Sequence, residues 1–342
     1  MTGRDIAQMA FELRKPPRVP VTLIGGGAWA VHRLGKTFGA IKNDPVKIAD
    51  VFIDFYKQFE NDLLWTGSNF LNYPIHFLGC AIKDDSSDGP GLVGTVIKSL
   101  DEIHQLSIEK VVQNPTMQGI IRSHHLVAEA IGKSTLIIPT QWAPFTTTAR
   151  ILGVEPLMMA TIEDPERLSK LIQFSTDFIW TLLEPVLEHK DIPGANFSDP
   201  VASGDLISPS MFRKFAAPAL KDLVQRVKAK GKLSMVHICG NSTNILKDVL
   251  EIGPHCFSLE NKVDLKTAKE ILGGKVCVAG NVSPTGAFLS GKPGEVLEEA
   301  KSCLATWGNE GGYILTVGCD FSKNVPLENM MTLMSLKNGG RV

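Results

Sequence analysis

No stretch of this chain stays apolar long enough to cross a membrane; its hydrophobic runs are strand-sized and interrupted. Neither sign of charge dominates, with 35 Lys plus Arg against 36 Asp plus Glu. Neither nucleic acid nor an anionic membrane surface is therefore implied as a partner. The opening residues, MTGRDIAQMAFELRKPPRVP, have no continuous apolar centre and no small-residue cleavage site. That pattern excludes a secretory leader, and the expected location is the cytoplasm. The six cysteines, spread over 342 residues, lack the compact spacing of a disulfide framework. In a reducing compartment they are packing residues, metal ligands or reactive thiols. Glycines cluster in GGGAW (25–29), yet no GxGxxG or P-loop follows a strand. A nucleotide-binding doubly wound sheet thus loses its usual signature. There is no internal repeat and no low-complexity tail.

What is present is a regular alternation of strand and helix past residue 130. Short β-branched or apolar runs occur at TLIIPTQ (135–141), GANFSDP (194–200), KLSMVHIC (232–239), HCFSLEN (255–261), KVCVAGNV (275–282) and YILTVGC (313–319). Amphipathic stretches separate them. Over 164–189, Leu168, Leu171, Ile172, Phe178, Ile179, Leu182, Leu183, Val186 and Leu187 recur at three- and four-residue spacing, as one buried helical face requires. Asp164-Pro165 and Ser208-Pro209 supply an N-cap followed by a proline in the first turn. Alternating elements imply a parallel sheet with right-handed crossovers. Polar residues collect at the C-terminal ends of the strands: Gln141, Asp199, His237 with Cys239, Glu260, Asn281 and Cys319. A site assembled from many strand ends is what a closed barrel provides. The expected fold is therefore α/β, a (β/α)8 TIM barrel occupying 1–342 as a single domain. Its first strand is expected at 19–26 and its second at 62–69, with an N-terminal extension over about 1–18 and a loop-rich insertion over about 80–116.

The sharpest local signal is VHICGN (236–241). In a strand, residues i and i+2 point to the same side, so His237 and Cys239 project together. Imidazole nitrogen and thiolate sulfur suit zinc. Cys319 ends the last strand, and Gly318 before it lets backbone approach closely. Three such ligands leave a fourth zinc position open, the condition for a catalytic site. The other cysteines are assigned to packing. Cys303 shares a helical face with Val296, Leu297, Ala300, Leu304 and Trp307, Cys277 lies inside a strand, and Cys80 and Cys256 are read as structural. His124 and His125 are expected at a surface or between helices and His255 as structural, while His76 could line the open end of the barrel but is read first as structural.

HICGNSTNIL, SDPVASGDLISP (198–209), VAGNVSP (278–284) and GCDFSKNVPLENM (318–330), with APFTTTARILG (143–153) more loosely, closely resemble the methylcobamide:coenzyme M methyltransferases of the uroporphyrinogen decarboxylase superfamily. The resemblance spans about the C-terminal two-thirds of the chain, in order. It implies a (β/α)8 barrel whose zinc is bound by His237, Cys239 and Cys319. It also implies a thiol such as coenzyme M as methyl acceptor, and a corrinoid, carried on a separate protein, as the other partner. Porphyrin decarboxylation is not expected. The decarboxylases carry an Arg-rich N-terminal motif and an early catalytic Asp, whereas here LIGGGAWAVHRLGK stands in the first place and Gly67-Ser68-Asn69 in the second.

A zinc-bound thiol ionises at neutral pH and becomes a nucleophile, while the corrinoid supplies the difficult chemistry. Asp199 and Glu260 flank the expected metal as catalytic candidates, to orient His237 or to receive the thiol proton; the competing reading has them bonded to loop backbone. Gln141, Asn281 and Asn69 are substrate-binding candidates, against plain loop capping. Arg150 and Lys36 could meet a sulfonate. A second reading reverses the flow and takes methyl from an aryl methyl ether or similar donor to the corrinoid. A homodimer is compatible with all of this.

Overall fold

The structure is a computed structural model and describes residues 1–339. Nine strands form: β1 (Leu63–Thr66), β2 (Ala81–Lys83), β3 (Gly91–Val93), β4 (Leu136–Trp142), β5 (Gly194–Ser198), β6 (Leu233–Ile238), β7 (Cys256–Leu259), β8 (Cys277–Val282) and β9 (Tyr313–Val317). Seven of them make one curled parallel sheet in the order β1-β4-β5-β6-β7-β8-β9. The strands β5, β7, β8 and β9 are buried along their whole length, as parallel strands covered on both faces must be. Helices fill the crossovers, giving an α/β, TIM-like arrangement. The remaining two strands, β2 and β3, pair antiparallel as a separate hairpin within 80–116, the stretch expected to be loop-rich.

The stretch expected to be the first strand, 19–26, is not a regular strand. It makes one isolated bridge, Val21 to Leu315. Its backbone reaches both sheet edges: Thr22 N donates to Leu315 O at 3.0 Å, and Asp62 N donates to Val21 O at 3.4 Å. The physical reason lies in its neighbours. Val21 N is taken by Asp62 Oδ2 at 2.8 Å and Leu23 N by Asn61 Oδ1 at 2.8 Å. Side-chain acceptors use the donors that a ladder would need, and Pro20 has none to offer.

The helix Pro165–Leu187 starts where its sequence signal lies, with Asp164 accepting from Arg167 N at 3.1 Å. Every residue of its apolar stripe is buried. The Ser208-Pro209 start leads into only one turn, Pro209–Met211, followed by a wider-wound turn at Phe212–Ala216 and the helix Ala217–Ala229. The N-terminal extension also folds: Gly3–Phe11 is a helix whose Ala7, Ala10 and Phe11 join the core. That core runs continuously from Ala7 to Met334. Cys80, Cys256, Cys277 and Cys303 are buried within it. His124, expected at a surface or between helices, is 2% exposed. Its Nδ1 meets Thr66 Oγ1 at 2.8 Å, and burial drives its pKa down to about 3, so it is a neutral prop beneath the end of β1. Among the described residues no helix is long and apolar enough to cross a membrane.

Register decides which side chains meet. Ser198 on β5 lies opposite His237 on β6, and His237 opposite Ser258 on β7. Partners across parallel strands share a face, so these three form a row near the C-terminal ends of the sheet.

At the other edge, Asp62 is fully buried and clamped by Arg18, with Nη1 to Oδ2 at 2.6 Å and Nη2 to Oδ1 at 2.8 Å. Arg18→Ala should cost about 2–4 kcal/mol, because it strands a buried carboxylate. Chemical denaturation checks this, and a loss below about 0.5 kcal/mol would mean that Lys337, 3.6 Å from Oδ1, suffices alone.

Candidate metal centre

His237 is the buried next-to-last residue of β6, and the turn Cys239-Gly240 follows the strand, where Gly240 takes φ +70. A Cβ at Gly240 would lie 2.4 Å from Ser203 Oγ, so only glycine lets the chain turn there. β9 ends at Val317, and Gly318 passes so near the residues just after β7 that a Cβ would sit 2.9 Å from Asn261 N. This close passage brings Cys319 back over His237. The three donors converge: Nε2 of His237 to Sγ of Cys239 is 2.9 Å, Sγ of Cys239 to Sγ of Cys319 is 3.2 Å, and Sγ of Cys319 to Nε2 of His237 is 3.6 Å. Among the described residues, this is the one group of three or more His, Cys, Asp or Glu side chains arranged to hold a metal ion.

The donor set fits zinc. Ligands around tetrahedral zinc stand roughly 3.5–3.8 Å apart, as bond lengths of about 2.0–2.3 Å require. Two of the observed separations, 2.9 and 3.2 Å, are tighter and the third, 3.6 Å, falls within that range, so a small outward movement of Cys239 opens the position between them. The other imidazole nitrogen is already committed: Nδ1 of His237 meets Ser258 Oγ at 3.0 Å, which fixes the ring with Nε2 toward the sulfurs. Trp65 packs edge-on against that ring, with centroids 5.6 Å apart. The Cys319 thiol is held well above its ordinary range, first by its hydrogen bond with Cys239 and then by burial. A cation between the donors would remove that penalty.

Above the three donors opens a cavity of about 400 Å³, within the range of small-molecule sites. Trp65, Trp142, Ser68 and Thr140 form part of its wall, together with Asp320, next to Cys319. The insertion contributes Asp88 to Gly91. Asp320 keeps Oδ1 on the backbone N–H groups of Gly26 and Phe321, both at 2.8 Å. Burial raises its pKa, against the pull of those two donors.

Of the residues singled out from the sequence, His237, Cys239, Cys319 and Asn69 line this cavity. Asn69 also uses its Oδ1 to accept from Ala28 N at 2.9 Å. Asp199, Glu260, Gln141 and Asn281 lie outside the lining. Asp199 is wholly buried; its Oδ1 accepts from Thr146 N at 2.8 Å and Oγ1 at 2.6 Å, and burial lifts its pKa to about 7. It ties the end of β5 to the helix Pro144–Leu152, and its own N–H donates to His237 O at 2.8 Å. Glu260 accepts from Gly240 N, bracing the turn that carries Cys239. Asn281 donates to Val263 O at 2.9 Å. Gln141 faces the helices with Phe178 and Leu182. Lys36 is exposed, and Arg150 stacks over the Trp142 ring at 5.4 Å. His76 Nδ1 donates to Cys80 O at 2.7 Å. Trp65, Trp142, Ser68 and Asp320 are among the lining residues that sequence reasoning passed over. The last was visible directly after Cys319 in GCDF.

A curled parallel sheet with soft metal donors gathered at its C-terminal end defines an α/β protein with a candidate metal centre in the usual position for such sheets. Residues 2–338 match the family model for uroporphyrinogen decarboxylase (URO-D), and the chain belongs to that family. Among its relatives is the methylated-thiol–coenzyme M methyltransferase of Methanosarcina mazei, 27% identical over 257 residues, which are 74% of this chain and 66% of that protein. A methylcobamide:CoM methyltransferase from the same organism is 26% identical over 260 residues, 75% of this chain and 74% of that protein. A solved methyltransferase structure from Methanosarcina mazei superposes with a TM-score of 0.88 at 22% identity, covering 99% of both chains, and so shares the fold.

Cys239 and Cys319 are half-buried while the other four thiols are buried. In chelator-treated protein the two should be alkylated before the rest, and added Zn²⁺ should slow both. Peptide mapping by mass spectrometry reads the order. Faster labelling of Cys303 or Cys80, or no protection by Zn²⁺, would contradict the assignment.

Proposed function

We propose that this chain is a zinc-dependent, corrinoid-linked methyltransferase, a single-domain enzyme that moves a methyl group between a corrinoid delivered on a partner protein and a small molecule seated in the cavity. The observation that carries this is the convergence of His237, Cys239 and Cys319 at the floor of a cavity large enough for a small substrate. The names of the relatives, which specify methylcobamide or coenzyme M as reactants, support it. Zinc held by these three side chains would supply Lewis acidity, enough to ionise a thiol near neutral pH.

The protein's own contribution is positional. Ser258 sets the His237 ring, Glu260 holds the Gly240 turn, and Asp199 anchors the end of β5 to backbone that His237 shares. These contacts keep three donors on one side and leave the cavity side free for substrate. Asp320 is the carboxylate nearest in sequence to the metal ligands and lines the cavity. It would be the group to hold a substrate proton, a role for which Glu260 and Asp199 are the candidates read from the sequence. Trp65, Trp142 and Pro90 give the cavity an apolar wall beside a reacting methyl group.

The direction of transfer stays with the substrate. A thiol substrate would accept methyl, and an ether would donate it. The cavity lining carries no lysine or arginine, and this favours the second direction over transfer to a sulfonate-bearing thiol.

Methylcobalamin mixed with the zinc-loaded protein and a thiol should lose its methyl-cobalt absorption, followed by visible spectroscopy. Cys319→Ser should slow that change by at least about a hundredfold, in line with the loss of a metal-activated nucleophile. Equal rates in the two proteins would reject the metal's role.

A further inference from the structure

Asn281, singled out in the sequence, has no part in the proposed reaction. It lines a different cavity, of about 430 Å³, bounded by the helices Leu265–Leu272 and Pro293–Trp307.

This second cavity shares a wall with the supports of the metal centre. Asn281 Nδ2 donates to Val263 O at 2.9 Å and to Glu260 O at 3.4 Å, so it ties down the turn 260–264. Asn261, Val263 and Asp264 of that turn line the cavity as well. The same turn touches both cysteine-bearing segments. The Glu260 carboxylate accepts from Gly240 N, next to Cys239. Gly318, next to Cys319, lies so close that a Cβ there would sit 2.9 Å from both Glu260 Cα and Asn261 N. A ligand packed against this turn therefore acts on both cysteines through contacts too close to absorb a shift.

The chemistry of the other wall indicates what such a ligand is. Glu299, Ser302, Cys303 and Thr306 turn one face of the helix Pro293–Trp307 to the cavity. Glu299 is half-buried and its Oε1 accepts from Ser283 N at 2.8 Å. No cation acts on this carboxylate, and burial pushes its pKa up. A second carboxylate, Asp264, is exposed and caps its helix through Thr267 N at 2.8 Å. Among the described residues lining the cavity, the one cation is Lys266, which is exposed. An anion would meet two carboxylates against one ammonium. An ammonium ligand would supply the countercharge that Glu299 lacks, with the hydroxyls of Ser302 and Thr306 able to accept from its remaining N–H groups.

We infer that this cavity is a second ligand site, which takes a small organic ammonium compound and tightens the hold of His237, Cys239 and Cys319 on their metal. The tightening rests on the proposed metal centre, and the binding itself does not.

Three four-carbon probes that differ in their charged ends test this: 1,4-diaminobutane, 1,4-butanediol and succinate. Titrated calorimetrically into metal-free protein, the diamine should bind at least about tenfold tighter than the diol, as a charge-assisted contact does, and succinate should not bind. Glu299→Gln should weaken diamine binding at least about tenfold by removing that contact. Ser302→Lys, at an exposed position, places an ammonium beside Glu299 and should block the diamine in the same way, which decides the matter if the first variant fails to fold. By linkage, the diamine should raise the affinity for Zn²⁺ by the factor with which Zn²⁺ raises the affinity for the diamine, at least about fivefold. Competition with a chelator reads that factor, and it should vanish in Glu299→Gln. Diol or succinate binding as tightly as the diamine, or diamine binding untouched by either substitution, would overturn the site. Diamine binding through Glu299 with an unchanged Zn²⁺ affinity would overturn the coupling. Protein that takes up no Zn²⁺ yet binds the diamine through Glu299 would uphold the site and remove the metal reading alone.

Discussion

Three soft donor atoms lie within 3.6 Å of one another at the end of the sheet, and the surrounding structure is organised around holding them there. Such crowding is tolerable while the thiols keep their protons, and becomes strongly repulsive once they ionise unless a cation lies among them. The fold secures the arrangement from several sides. Register sets Ser258 opposite His237, so the hydroxyl that orients the imidazole comes from the neighbouring strand. Gly240 and Gly318 let two chain segments bend into the same small volume. Glu260 and Asp199 then brace the segments from behind.

The same geometry separates support from contact. Carboxylates at strand ends attract functional assignments, yet here Asp199 and Glu260 are spent on backbone and on Thr146. What faces the cavity instead is two indoles, several neutral polar groups, Asp88 and Asp320. A mostly apolar chamber thus lies over the candidate metal centre, where the proposed small molecule would be held.

Much of this was readable from the residues. The six runs past residue 130 all contain strands, and the stripe over 164–189 is a helix buried along the expected face. His237 and Cys239 come together because period two is a property of any strand. Cys319 could be joined to them from sequence only through the strand order and the family motif. The segment 19–26 escaped because strand formation there depends on who takes the backbone donors, and Asn61 and Asp62 take them from some forty residues away. Gln141 and Trp142 show the cost of a one-residue shift. Alternation turns Gln141 toward the helices and brings Trp142 to the cavity. His124 escaped because a helix pattern does not reveal that a buried threonine, Thr66, waits for its ring.

The central claim is that His237, Cys239 and Cys319 together bind one zinc ion. X-ray absorption at the zinc edge of the purified protein tests it most directly. The expected first coordination sphere holds two sulfurs at about 2.3 Å and at least one nitrogen at about 2.0 Å. One sulfur should disappear in Cys239→Ser. A coordination sphere of oxygen and nitrogen alone, or one unchanged by that substitution, would contradict the account.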